Sequence, residues 1–576
     1  MDIREQSVRA RTQLALLAAT LTATFLVFLR TGAFAFVYDD ATEIVNNPGI
    51  HSWSNLAHVF TTPFLRTPYY RPLVLIWLRC CDALFGTHPA GWHMMSVLAN
   101  VAVTALVYLV ARKLAGAWPA LIAAALFGLH PVHIESVAWI SAVVDPLYAG
   151  FFLAAFLAYL KSTESRRLQW TLVSCALYAA ALLSKEPAIV FPAVVAAHAL
   201  LFADKDRLRQ AIRAVLPSVI VTAVYIVVRL AVVPPYLNPG SAISIRTTLL
   251  TEPSILLLYV SKLFWPVGLS GFYDKPYVST FSLAHFVLPL VALLLIAIAL
   301  VVWARRSEHE NLIAFSVAWF LLTLAPALNF RLLVPGEFLH DRYLYLPSFA
   351  FCLLVGIALE GWSKRLSMEP RYARIPAAIA VAVCVCFAGL NLVQQGPWAS
   401  DVALYSHGFV AAPNNNFVEN NFARLLTDRG QFREAIPLYE QVLRRDPNFE
   451  QAHYNLGYTY YRFGDLAQAR RELQRAVALN PLDSFAYIHL GLISLREHDV
   501  ATAETEIRRA IQIDPARPGF HAALSFVLEA KGDIAGALAE MREELQYTPN
   551  NPALRAREQA LLASLANQKS KIENQK

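Results

Sequence analysis

The chain has 576 residues, of which 56% are apolar and only 16% charged, with a formal net charge of +7. Soluble domains carry about a quarter charged residues, so a wholly soluble protein is excluded. The basic excess does not point to nucleic acid, because in the first part of the chain it sits in short loops between long apolar blocks, as membrane topology requires. Six cysteines (Cys80, Cys81, Cys175, Cys352, Cys384 and Cys386) follow no disulfide or zinc spacing.

The first apolar stretch, 12–29, lacks a small-residue cleavage site and is followed by further spans. It reads as an uncleaved first span rather than a signal peptide. About 20 apolar residues are needed to cross the hydrocarbon core. Eleven segments qualify: 12–30, 91–111, 117–130, 141–160, 168–184, 187–203, 214–232, 283–303, 312–330, 343–362 and 375–393. A twelfth stretch, 249–269, holds Glu252, Lys262 and Pro266 and reads as re-entrant or interfacial. With the N-terminus cytoplasmic and that stretch not crossing, the inner segments, Lys205 and Arg371 among their residues, hold 18 basic residues in about 53 positions. The outer segments hold nine in about 137. Counting 249–269 as a crossing would put two of the basic loops outside, against the positive-inside rule. Eleven spans place the C-terminal region outside the cytoplasm.

The first outer loop, about 31–90, opens with "FVYDDATEIVNNPGI". An adjacent carboxylate pair at a membrane–water boundary, Asp39 and Asp40, suits a general base, since a partly desolvated carboxylate matches a hydroxyl proton. Metal binding and helix capping are the alternatives. The sequence predicts no particular cofactor, and a divalent metal stays an open alternative. The next outer segment, "LFGLHPVHIESVAWISAVVD", carries His130, His133, Glu135 and Asp145. These are candidates for a polar cavity lining, with metal ligation or backbone bonding at the Pro131 break as the other readings. "LLSKEPAIVFP" puts Lys185 and Glu186 into an apolar hairpin. Lys185 could meet a lipid-linked phosphate as a point charge, or pair with Glu186. "PGEFLHDRYLYLPS" offers Glu337, His340, Asp341 and Arg342. Arg342 suits bidentate phosphate recognition, or a salt bridge to Asp341. Glu186, His340 and Asp341 join the candidate lining.

Composition changes at 394–401, separating a membrane domain (1–399) from a charged, helical region. There Pro413, Pro447, Pro481, Pro515 and Pro549 recur every 34 residues. Ala435, Ala469, Ala503 and Ala537 keep that interval, as do Ala423, Gly457, Gly491 and Ser525. Gly430, Gly464 and Gly532 mark the turn inside each repeat, with His498 as the exception. Small residues let paired helices approach and Gly permits the turn. The array resembles four tetratricopeptide repeats (414–447, 448–481, 482–515 and 516–549), capped by a helix and tail over 550–576. Such solenoids bind partners along a concave face.

In their order, "YDD" with "NNP", "YYRPLVLIWLRCCDALFGTHPAGWHMMSVLANV", "LFGLHPVHIESVAWISAVVD", "LSKEPAIVFP", "DRYLYLPSFAFCLLVG" and the repeats resemble the transmembrane and tetratricopeptide-repeat protein O-mannosyltransferases. These belong to the GT-C glycosyltransferase superfamily. The resemblance implies an all-α fold: a polytopic GT-C-like domain of about 11 spans, then an α-solenoid. It implies an inverting glycosyltransferase that uses a polyprenyl-phosphate sugar such as mannose, with the catalytic base in the Asp39–Asp40 pair. Lys185 and Arg342 then hold the donor phosphate, and a protein or glycan acceptor binds the repeats. Few repeats and the absence of an Asn-x-Ser/Thr sequon lean towards a bacterial relative, in the inner membrane with periplasmic repeats. The rival from another class is a non-enzymatic membrane-anchored scaffold for envelope proteins.

Overall fold

The computed structural model describes residues 3–573 except 48, 52, 54–55, 65–66, 165, 204–205, 235–242, 330, 332–337, 367–373 and 549–550. Pro48, Lys205, Glu337, Arg371 and Pro549 therefore lie outside the described residues. The described residues form helices and turns without a strand. Packing divides the chain into two units, 1–412 and 413–576. Helix Asp401–Ala411, which composition grouped with the repeats, packs with the membrane unit instead.

Among the described residues of the first unit, seven helices are long and apolar enough to cross a membrane. They are Ala10–Ala33, Pro89–Ala115, Ile140–Ser162, Arg207–Val232, Leu283–Arg305, Glu310–Leu328 and Ile375–Gln394. Ala117–Leu129 and Pro131–Ala138 together make an eighth candidate, bent by 51°. The bend has a local cause: proline lacks an N–H and excludes the helical conformation from the residue before it. His130 adapts to the break, its Nδ1 accepting the Val132 amide at 3.2 Å.

The eleven expected spans are all helical but not all full spans. Arg167–Leu182 and Phe191–Phe202 have 16 and 12 residues, which is short of a full crossing at about 1.5 Å per residue. Ser348–Leu366 is longer but carries Glu360, Lys364 and Arg365 in its second half. The doubtful stretch forms helix Ile245–Phe264, which runs through Pro253 and is not among the span candidates. Lys262 folds back there to donate to the carbonyls of Val267 and Gly268, both at 2.8 Å.

Small residues allow the close helix crossings that packing in a membrane relies on. A Cβ at Gly356 would stand 2.5 Å from the Pro119 carbonyl oxygen, so no larger residue fits that crossing.

The second unit repeats one helix pair four times: Asn416–Asp428 with Phe432–Arg445, Glu450–Phe463 with Leu466–Leu479, Ser484–Arg496 with Val500–Ile513, and Phe520–Ala530 with Ile534–Tyr547. Helix Pro552–Glu573 follows. The alanine column Ala435, Ala469, Ala503 and Ala537 is fully buried. A Cβ at Gly457 would lie 2.7 Å from Leu473 Cγ, which explains the small residue in the facing column. The turn glycines have φ of 77°, 98° and 90°, and His498 takes the same left-handed conformation at 64° without being glycine. Asp465, Asp499 and Asp533, again 34 apart, cap the second helix of the last three pairs through the amide three residues on.

Candidate active site

The chain leaves its first helix through the short turn Leu29–Ala33 and reverses at Tyr38, whose φ of 58° is rare for a bulky residue. Such a conformation costs about 1–3 kcal/mol and persists only where its surroundings enforce it. Here the Tyr38 amide donates to Asp401 Oδ1 at 2.8 Å and the Ala35 amide to the Ala399 carbonyl at 3.1 Å. The Tyr38 ring stands 5.0 Å from Trp139 and 5.9 Å from Phe272.

This turn gives the two adjacent carboxylates different fates. Asp40 is fully buried. Its Oδ2 accepts the Val37 amide at 3.0 Å, and its Oδ1 accepts the Ser141 amide at 2.8 Å and the Ser141 hydroxyl at 2.6 Å. Burial nevertheless pushes its carboxyl up to about 7. Asp39 is only partly buried, and among the described residues no hydrogen bond to its carboxylate is recorded. Burial raises its pKa and the charge of Arg342 pulls it back. Glu43, one turn on in the short helical turn Ala41–Val45, is pushed up to about 8 by burial and by the charge of Asp39.

Beyond the bend at Pro131, short helices Ile134–Ala138 and Ile140–Val143 lead into Val144–Ser162 and bring Glu135, Trp139, Ser141 and Asp145 to this region. Glu135 Oε2 accepts the Arg342 amide at 3.1 Å, and its Oε1 lies 3.6 Å from the Arg342 guanidinium and 3.0 Å from His340 Nδ1. The guanidinium lies over the Trp139 ring at 4.6 Å. Arg342 thus pairs with Glu135, not with Asp341. Asp341 accepts the Tyr273 hydroxyl at 2.6 Å and the Ser270 amide at 3.1 Å, and burial pushes it up to about 7.

Lys185 and Glu186 do not pair with each other either. Adjacent residues leave the chain in different directions here, because Lys185 is extended before the turn Glu186–Val190. Lys185 meets Asp145 at 2.5 Å and faces the rings of Tyr148 and Tyr343. Glu186 takes Arg71 through Nε and the terminal nitrogen at 3.0 and 2.9 Å, plus the Tyr70 amide at 3.1 Å.

The two histidines go to separate partners. His130 Nε2 bonds the Leu263 carbonyl at 3.0 Å, and His133 Nε2 the Ser348 hydroxyl at 2.9 Å. No group of three His, Cys, Asp or Glu side chains able to hold a metal ion occurs among the described residues. His130, His133, Glu135, Asp145, His340 and Asp341 are all at most 3% exposed, so they brace the region from within.

Asp39, Glu43, Arg71, Lys185 and Arg342 lie near enough to influence one another's charge, although each cation is paired with a carboxylate of its own. Burial lowers the Lys185 pKa, the charge of Asp145 opposes that, and the charges of Arg342 and Arg71 lower it further, while Arg71 and Glu43 sense each other. Arg71, Glu43, Ser141 and Tyr38 were not singled out from the sequence, although "YYRP" and "YDD" contain two of them. A partly desolvated carboxylate beside buried cations can take up a proton while the cations hold an anion.

Residues 70–234 match the family of dolichyl-phosphate-mannose-protein mannosyltransferases, and 420–484 and 454–518 match a tetratricopeptide repeat. The chain is 26% identical over 497 residues to the mouse protein O-mannosyl-transferase TMTC3, covering 77% of this chain and 53% of that protein. It is 27% identical over 534 residues to Tmtc3 of Drosophila melanogaster, covering 77% and 56%. The chain therefore spans about half the length of the curated relatives it matches. Among solved structures, the repeat protein TTC0263 of Thermus thermophilus aligns with 30% of this chain and 94% of its own, at 20% identity and a TM-score of 0.27. In its membrane part and its repeats alike, this multi-pass membrane protein is similar to the transmembrane and tetratricopeptide-repeat O-mannosyltransferases.

Proposed function

We propose that the protein is a glycosyltransferase that moves a sugar, mannose by kinship, from a polyprenyl-phosphate carrier to a protein or glycan hydroxyl on the outer side of the membrane. The observation that carries the reading is the contrast at positions 39 and 40. One carboxylate is locked by three hydrogen bonds, while its neighbour has none recorded among the described residues, is partly exposed and lies under the influence of Arg342. Asp39 takes the acceptor hydroxyl proton as the oxygen attacks the anomeric carbon. The C1–O bond to the acceptor forms as the C1–O bond to phosphate breaks, and the polyprenyl phosphate leaves with the bonding pair. One displacement of this kind inverts the anomeric centre. Arg342 and Arg71, with Lys185 behind them, stabilise the charge that grows on the leaving phosphate. Asp40 and Asp401 hold the turn that presents Asp39, and Glu135 orients Arg342.

The kinship supports the donor class, and the basic-residue asymmetry, counted over eleven crossings, supports outer-leaflet chemistry with the repeats outside the cytoplasm, as in a bacterial inner membrane. The repeats serve as the acceptor platform. The test is to incubate the purified chain with a panel of polyprenyl-phosphate sugars and follow release of polyprenyl phosphate. Turnover of one donor that Asp39→Asn abolishes supports the reading. Absence of turnover with every donor and acceptor favours the membrane-anchored scaffold.

A further inference from the structure

A cavity opens towards the far end of the helix that starts at the candidate site. It has a volume of about 500 Å³ and opens among the last turn of Val144–Ser162, the start of Arg167–Leu182, Phe191–Phe202 and the start of Arg207–Val232. Asp145 lies in the first turn of Val144–Ser162 and Ser162 ends it, so at about 1.5 Å per residue the Ser162 end of the cavity, where Arg167 stands, and the Asp145–Lys185 pair are roughly 25 Å apart along the helix axis. That separation is close to the hydrocarbon thickness of a bilayer, so the arginine end of the cavity and the candidate site belong to opposite membrane faces.

The lining is divided by chemistry. By helix position, Arg167, Gln210 and Arg213 stand near the same helix ends as Ser162 and Phe202, and Phe191, Val195 and Pro217 lie deeper along the helices. Both arginines are exposed, neither has a recorded ion pair among the described residues, and no acidic side chain among them lines the cavity. Two such guanidinium groups at the edge of an apolar pocket are complementary to a molecule with an anionic head and a hydrocarbon tail. The planar forks bind phosphate oxygens in pairs, and the pocket shelters the chain from water. Segments flanking the cavity also carry Lys161, Arg166, Lys205, Arg207 and Arg209 against Glu164, Asp204 and Asp206, so the local charge is net positive and attracts anionic headgroups.

We propose that this cavity binds an anionic, phosphate-headed lipid on the face opposite the candidate active site, with Arg167 and Arg213 on the phosphate. The site is independent of glycosyl transfer. Two sources share the required chemistry, an anionic phospholipid and an isoprenyl phosphate.

Cys175 lines the cavity and reports its occupancy. The full-length chain in detergent is alkylated with N-ethylmaleimide, and modification of Cys175 is followed by peptide mass spectrometry. Dioctanoyl phosphatidylglycerol, farnesyl phosphate and dioctanoylglycerol are titrated separately. Either phosphate lipid should slow Cys175 modification while dioctanoylglycerol does not, and which of them acts identifies the source. The variant R167Q/R213Q, which changes only exposed side chains, should weaken protection by about tenfold or more and leave the lipid-free alkylation rate unchanged. Thr171→Trp, which fills the cavity from Arg167–Leu182, should abolish lipid protection in an otherwise intact protein. Equal protection by dioctanoylglycerol, undiminished protection in R167Q/R213Q, or no protection by either phosphate lipid would overturn the proposal.

Discussion

The repeat array and the carboxylate cluster both bury polar side chains, but they pair them on different scales. In the repeats, His453 bonds Glu472 at 2.7 Å and the Pro447 carbonyl at 3.1 Å, and His521 bonds Glu540 at 2.6 Å and the Pro515 carbonyl at 3.0 Å. Both histidines reach 19 residues forward and six back, two repeats apart. Around Asp39 the partners lie far away in sequence: Asp40 with Ser141 at a separation of 101, Glu186 with Arg71 at 115, Arg342 with Glu135 at 207. Periodic pairing stabilises a unit that any stretch of the array can form. Long-range pairing exists only once the whole membrane unit has assembled, and it brings a few charged groups near enough to influence one another.

Breaking the long-range cluster should therefore change chemistry, while breaking the periodic one should change only local stability. The largest effect is expected at the neighbouring carboxylates. Asp39→Asn should lower the rate of sugar transfer by about 10²–10⁴-fold with the thermal midpoint unchanged. Asp40→Asn should lower stability by about 1–3 kcal/mol, because an amide cannot accept the donors at Val37 and Ser141 as a carboxylate does. Transfer assays paired with thermal unfolding separate the two, and equal transfer loss in both with equal stability loss would remove the distinction drawn between them.

Next in size is the ion pair of Lys185 with Asp145. Lys185→Met alone strands a buried carboxylate and should cost about 3–5 kcal/mol, whereas adding Asp145→Leu should recover most of it. Donor turnover by the stable double variant then reads whether Lys185 also serves the phosphate, and full activity would confine it to a structural role.

In the repeats, Gly457→Val should cost about 1–3 kcal/mol through overlap with Leu473. Limited proteolysis should find the damage confined to neighbouring repeats, with slow donor hydrolysis by water unaltered. Loss of donor hydrolysis would tie the periodic region to the chemistry.

The smallest effect is a pH shift. Burial raises the Asp39 pKa and Arg342 lowers it, and the base acts only when unprotonated. Arg342→Gln removes the lowering influence, so the acid limb of kcat/KM should move to higher pH. A limb that stays in place would separate Arg342 from the base.

Much of the architecture was legible because it is local. The 34-residue columns anticipate the buried alanines and the left-handed turns, and the apolar blocks anticipate the membrane helices. Even His498, irregular by residue type, adopts the conformation its column requires. Less legible were helix lengths. The basic-residue count supports eleven crossings, yet the described residues include seven full-length apolar helices and one bent pair, since hydrophobicity does not reveal where a helix breaks. Helix Asp401–Ala411 fell on the C-terminal side of the composition boundary, ahead of the first repeat, but its Asp401 holds the Tyr38 amide in the membrane unit.

The sequence alone determined that this is an all-helical membrane protein with a tetratricopeptide-like array, because helical period, span length and repeat interval are properties of neighbours along the chain. It also narrowed the charged residues to a few segments between apolar blocks. Only the tertiary structure decided that Asp40 is locked while Asp39 is not, that Lys185 and Arg342 belong to Asp145 and Glu135, and that Arg71 and Glu43 join the cluster. Those outcomes depend on burial and on partners 40 to 207 residues away, and a charge's partner is set by where the helices bring it in space rather than by which residue stands beside it in the chain.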